Sequence, residues 1–253
     1  MIKFDSDEYW LNTTWDRFGE LEQVPLSVRN EFLHQEELTL RAIERRLLKS
    51  GPTSAPLHLV DLGCGTGRIA KLILDRFPQQ LFTTLVDANP RTLELTRHNL
   101  QEYRNTNFVL GSVYDVNEIV KEKADIVICL EVFHHISNIP DLLECISRVL
   151  RNDGVLIGNV FTEERYKQWD IMKYGVVKSF RRRNLSRAAK LLYSAFPESL
   201  QAGIRRLGLA RIEPVNSQAF LKLLQQRFAQ IVTDEDFYLW FSAEGSAAKG
   251  FTS

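Results

Sequence analysis

Val60-Asp61-Leu62-Gly63-Cys64-Gly65-Thr66-Gly67-Arg68 sets three glycines at alternating positions, directly behind a short apolar run and ahead of a helical pattern. Glycine lets the chain turn sharply and lets backbone approach a ligand where any Cβ would collide. A loop of this kind between strand and helix marks the ligand-binding turn of an open α/β sheet. A dinucleotide fingerprint GxGxxG starting at Gly63 would need glycine at position 68, where the chain has Arg68, and no GxxxxGK[ST] phosphate loop is present. The loop alone leaves the ligand open, so the segments around it must decide.

Downstream, short apolar runs at 57–62, 81–86, 107–110, 125–130 and 155–161 alternate with helical stretches at about 68–77, 90–103, 116–122 and 139–150. Runs rich in Val, Ile and Leu, separated by helices, predict a parallel sheet covered on both faces: a doubly wound, Rossmann-like α/β fold. Ligands in such folds bind outside the carboxyl ends of the strands, so the chemistry is sought in the loop after each run. The second run ends in Leu85-Val86-Asp87-Ala88-Asn89-Pro90, which places a carboxylate 20 residues past Gly67, able to accept from both hydroxyls of a ribose. The third runs into Gly111-Ser112-Val113-Tyr114-Asp115, and the fourth into Leu130-Glu131-Val132-Phe133-His134-His135-Ile136.

Read together, these loops carry a family resemblance. Residues 57–161 resemble the class I S-adenosylmethionine-dependent methyltransferases, in their DLGCGTG loop, the acidic end of the second strand and the stretch ending His-His-Ile; the turn Leu150-Arg151-Asn152-Asp153-Gly154 stands where that family usually has Pro-Gly-Gly. The resemblance implies a seven-stranded sheet and S-adenosyl-L-methionine as cofactor. It implies that Asp61 and the backbone of Gly63 and Gly65 face the methionine end, that Asp87 holds the ribose, and that Ala88 and Asn89 flank the adenine. Ser112 and Val113 would meet the adenine's edge and face, and Leu130 with Glu131 would line the methionine portion. His134 and His135, just past the fourth strand, are the candidate bases, because histidine titrates near neutral pH. Cys64 and Cys129 read as small packing residues.

The flanks differ in character. Residues 1–56 form an aromatic and helical cap: Trp10 and Trp15 belong to a cluster of early aromatics, and Phe32, Leu40, Ile43 and Leu47 predict an amphipathic helix over about 27–48. Residues 57–161 are the cofactor-binding core, and 217–253 supply its last helix and closing hairpin. Between them, 162–216 form a basic insertion with twelve Lys and Arg against five acidic side chains, an excess of seven positive charges in a chain whose formal charge is zero. Two short helices, over about 185–196 and 198–207, are expected in it. Placed after the fifth strand, it reads as a lid over the acceptor, with Arg181, Arg182 and Arg183, Trp10 and Trp15 as candidate substrate contacts.

Composition excludes several classes. The chain of 253 residues is 44% apolar and balances 32 basic against 32 acidic residues, which removes any global attraction to nucleic acid or membrane. Three cysteines without CxxC spacing suggest neither a disulfide framework nor a metal site. No apolar run reaches the length of a bilayer span, and the reducing cytoplasm is the expected compartment. The expected function is therefore methyl transfer to an oxygen or nitrogen of a small-molecule acceptor, either anionic or bound to an acidic carrier or partner protein. A non-catalytic S-adenosylmethionine-binding subunit and an RNA methyltransferase stand as alternatives.

Overall fold

The computed structural model describes residues 26–51, 55–162, 215–235 and 239–247. Seven strands, β1 (Leu57–Leu62), β2 (Leu81–Asp87), β3 (Thr106–Leu110), β4 (Ala124–Cys129), β5 (Leu150–Val160), β6 (Phe228–Glu235) and β7 (Leu239–Ser246), form one sheet in the order β3-β2-β1-β4-β5-β7-β6. The first five pair in parallel, while β7 runs antiparallel to both β5 and β6. The helices are α1 (Leu26–Ser50), α2 (Arg68–Arg76), α3 (Pro90–Asn99), α4 (Val116–Ile119), α5 (Ile139–Val149) and α6 (Ser217–Gln225).

Alternation along the strands explains the layers. Val60 and Leu62 of β1, Val127 and Cys129 of β4, and Leu156 and Val160 of β5 share a core with α5 and α6. Leu57 and Leu59, Ile126 and Ile128, and Val155 and Ile157 point to the opposite face, where they join Ala42 and Ile43 of α1 and Ile73 of α2. Every residue of β1 and β4 is buried, as the continuous apolar runs require for strands covered on both sides. Asp61 and Asn159 fall in the second set, each ending an otherwise apolar row at the carboxyl end of its strand.

Two expectations are corrected. The helix α1 forms, but its buried stripe is mostly polar: Glu31, Gln35, Glu36, Thr39 and Arg46 are buried beside Ala42 and Ile43, whereas Phe32, Leu40 and Leu47 are only half-buried. Each of these polar side chains has a polar partner. The turn expected at 150–154 belongs to β5. Leu150 pairs with Ala124 and Val155 with Ile126, so the residues between them bulge from the ladder. That bulge brings Arg151 to 3.3 Å from Asp125 and Asp153 to 3.1 Å from Arg46.

The aromatic N-terminus with Trp10 and Trp15, and the insertion with Arg181, Arg182, Arg183 and its two expected helices, lie outside the described residues. Among the described residues, no helix is long and apolar enough to cross a membrane.

Candidate functional site

The strand order reverses between β1 and β4, since β1 leads outward through β2 to β3 and β4 leads the other way through β5. Loops leaving the carboxyl ends of such strands diverge and open a crevice. Its walls here are the glycine loop, 63–67, and the turn that follows β4, 130–138. They touch: a Cβ on Gly63 would lie 2.6 Å from Cγ2 of Val132, so only glycine fits. At Gly65 φ is +55°, and a Cβ built there would meet nothing within 4 Å. Its outward side is open to a ligand.

The loop is latched to β2. The amides of Gly63 and Cys64 both donate to the carbonyl of Val86, at 2.8 and 3.0 Å. Asp87 then accepts from Gly65 N at 3.0 Å through one carboxylate oxygen and from Asn89 N at 2.8 Å through the other. Each oxygen keeps a lone pair for a further donor. Burial pushes the Asp87 carboxyl up to about 6, against the two amide bonds, which favour the charged form. Asp61, 4% exposed, is pushed up to about 7 by burial first and by the charge on Asp87 second. The site is thus a crevice with two poised carboxylates at its floor, suited to hydroxyl donors and to positive charge.

Other expected contacts find defined places. Asn89 caps α3, its side chain accepting from Arg91 N and Thr92 N, which commits that side chain to the helix and leaves the backbone of Ala88 and Asn89 as the part of the loop able to flank a ligand. Ser112 opens the short turn Val113–Asp115 by accepting from Tyr114 N at 3.3 Å. His134 and His135 sit on the turn Phe133–His135, with ring centroids 3.9 Å apart. Phe133 pins that turn by packing edge-on against Phe220 and tilted against Phe241. Burial raises both the Cys64 and Cys129 thiols well above their usual range, which suits neutral packing groups.

Sequence reasoning missed the polar contacts beneath α1. Asn159, at the end of β5 and 1% exposed, bonds Glu131 and Gln35. Arg68 pairs with Glu36, so the residue standing where a dinucleotide loop has glycine instead ties α2 to α1. Trp240 of β7 donates to Thr39 at 3.2 Å. A lone asparagine within the run Val155-Leu156-Ile157-Gly158-Asn159-Val160-Phe161 was the available signal, because a buried polar group in an apolar strand requires partners.

Residues 60–156 match a family model described as a methyltransferase domain. Among curated relatives, the malonyl-[acyl-carrier protein] O-methyltransferase of Acetivibrio thermocellus is 32% identical over 105 residues, 42% of this chain and 36% of that protein. The human thiol S-methyltransferase TMT1B is 28% identical over 122 residues, covering 47% of this chain and 48% of its own. This chain therefore spans less than half the length of these relatives. Among solved structures, the magnesium protoporphyrin IX methyltransferase of Synechocystis, with bound S-adenosylmethionine, superimposes with a TM-score of 0.58 over 97% of both chains at 16% identity. The fold expected from the loops, a seven-stranded Rossmann-like methyltransferase sheet, is the fold observed.

Proposed function

We propose, from the premise that residues 60–156 form a class I S-adenosylmethionine-dependent methyltransferase domain, that this protein methylates an oxygen or nitrogen nucleophile on a small molecule, one that is anionic or borne by an acidic carrier protein. The observation that carries the reading is the Asp87 latch: a buried carboxylate bonded to Gly65 N and Asn89 N, beside the open face of Gly65. Such a carboxylate fits a ribose diol, and the open backbone fits a ligand lying flat on the loop.

When bound, S-adenosylmethionine supplies a methyl group on a positively charged sulfur. The chain's own part is alignment, which can lower a barrier by on the order of 7 to 11 kcal/mol. Asp87 would fix the ribose, Asp61 would favour positive charge in the crevice, and the turn after β4 would line the methionine side. Where the acceptor carries a proton, His134 or His135 would take it. The preference for an anionic or carrier-bound acceptor rests on the basic insertion and draws support from the acyl-carrier-protein substrate in the name of one relative.

The test is calorimetry. The protein should bind S-adenosylhomocysteine and not NAD, and Asp87→Ala should weaken that binding by about 1.5 to 3 kcal/mol, because the ribose hydroxyls lose a charged acceptor. Unchanged affinity in Asp87→Ala, or binding of NAD in its place, would remove the assignment. For the acceptor, replacing Arg181, Arg182 and Arg183 together with glutamine should raise its KM at least about tenfold with cofactor affinity intact.

A further inference from the structure

The primary amide of Asn159 makes three bonds, which use both of its donors. Its oxygen accepts from Glu131 N at 2.6 Å, and its nitrogen donates to Glu131 Oε1 at 2.8 Å and to Gln35 Oε1 at 2.5 Å. The orientation is fixed by chemistry: a backbone N–H only donates and a carboxylate only accepts, so the amide oxygen must face the former and the nitrogen the latter. Gln35 passes the polarity on, donating from Nε2 to Glu31 Oε1 at 2.7 Å. Four side chains of α1, β5 and the turn after β4 thus form one directed chain.

Glu131 has φ +61°, a left-handed conformation that a residue with a Cβ adopts at a cost of about 1 to 2 kcal/mol, and Asn159 grips that residue at both its backbone and its carboxylate. From Glu131 the chain continues to Val132, whose methyl group occupies the place a side chain on Gly63 would need. The conformation of Glu131 therefore decides how the turn sits against the glycine loop.

We propose that Asn159 is a positioning residue for cofactor binding: by holding Glu131 left-handed, it seats the turn 130–132 against Gly63, at the methionine end of the crevice. Through Gln35 the same amide makes that seating depend on the docked state of α1. The inference rests on the methyltransferase reading. It assigns to Asn159 an effect on the amino-acid half of the cofactor and none on the adenosine half, which Asp87 would hold through the ribose.

The two halves can be probed separately with S-adenosylhomocysteine and with 5′-methylthioadenosine, which keeps the ribose and adenine and lacks the amino-acid group. In Asn159→Asp the donor to Glu131 becomes a second carboxylate, so the Kd for S-adenosylhomocysteine should rise at least about tenfold, the ratio expected for one charge-assisted hydrogen bond, while that for methylthioadenosine moves less than about twofold. Adding Glu131→Gln supplies a donor facing the introduced carboxylate and should recover most of the lost affinity. If Asn159→Asp does not fold, Asn159→Ala, which removes the amide without adding charge, should show the same selective loss. Equal weakening of both ligands would mark Asn159 as merely structural, and no weakening of either would remove its role; both outcomes overturn the proposal. A wild-type protein that binds neither ligand would fail the methyltransferase reading itself, a result distinct from these.

Discussion

Asp61 and Asp87 show how a buried site encodes a pH response. Both carboxyls titrate higher in the folded chain than an exposed aspartate, near 7 and near 6, because burial penalises their charge. A raised carboxyl contributes stability that is complete below its unfolded pKa of about 4 and is lost as pH rises through the folded value. The ligand-free protein should therefore lose stability to urea between about pH 4 and pH 7 from these two groups, and Asp61→Asn should flatten that decline. An unchanged pH profile in Asp61→Asn would show that its ionisation is not opposed by the fold. The residue most legible in the sequence was Asp87, since its spacing from the glycine loop follows from the geometry of adjacent parallel strands. The partners of Asn159 were not legible, because Glu131 and Gln35 lie 28 and 124 residues away and no local pattern brings them together.

At the scale of the element, α1 is the instructive case. Its existence and extent were readable from helical periodicity, but its inward face was not, because the contacts of its N-terminal half are polar. Gln35 meets Asn159, Glu36 meets Arg68 and Thr39 meets Trp240, whereas Ala42 and Ile43 pack into the apolar core. Periodicity finds apolar stripes and passes over polar ones. The strands were read more faithfully, since burial on both faces writes itself as an unbroken apolar run. Further along the helix, Arg46, with 5% of its side chain exposed, reaches Asp125 and Asp153, each at 3.1 Å. Arg46→Ala would leave Asp125, with 10% of its side chain exposed, facing Arg151 and the amide of His58 among the described residues. Losing one partner of a buried carboxylate that keeps two others costs about 1 to 3 kcal/mol, so the urea midpoint should fall without a change in slope. A loss under about 1 kcal/mol would place the pair among exposed surface bridges.

The whole molecule is a parallel sheet completed by a strand of opposite direction, and the order β5-β7-β6 puts the most C-terminal described strand inside the sheet, not at its margin. Trp240 and Phe241 of that strand are 2% and 0% exposed, and Phe241 packs on Phe133, which pins the turn bearing the two histidines. Removing residues from Leu239 onward should thus leave β5 with an open edge and send the protein to the insoluble fraction, as unpaired edges do. A soluble truncated chain that still binds S-adenosylhomocysteine would contradict this. The topology also imposes an order on biosynthesis. While the chain is being made, β1 to β5 and their helices can assemble in sequence, but among the described residues β6 has no strand to pair with until Leu239–Ser246 has left the ribosome and inserted between it and β5. Until that moment the nascent protein exposes the edge of β5, and the histidine turn can lean through Phe133 on Phe220 of α6 but not yet on Phe241, so the backing of the site is completed by the strand that inserts last among the described ones.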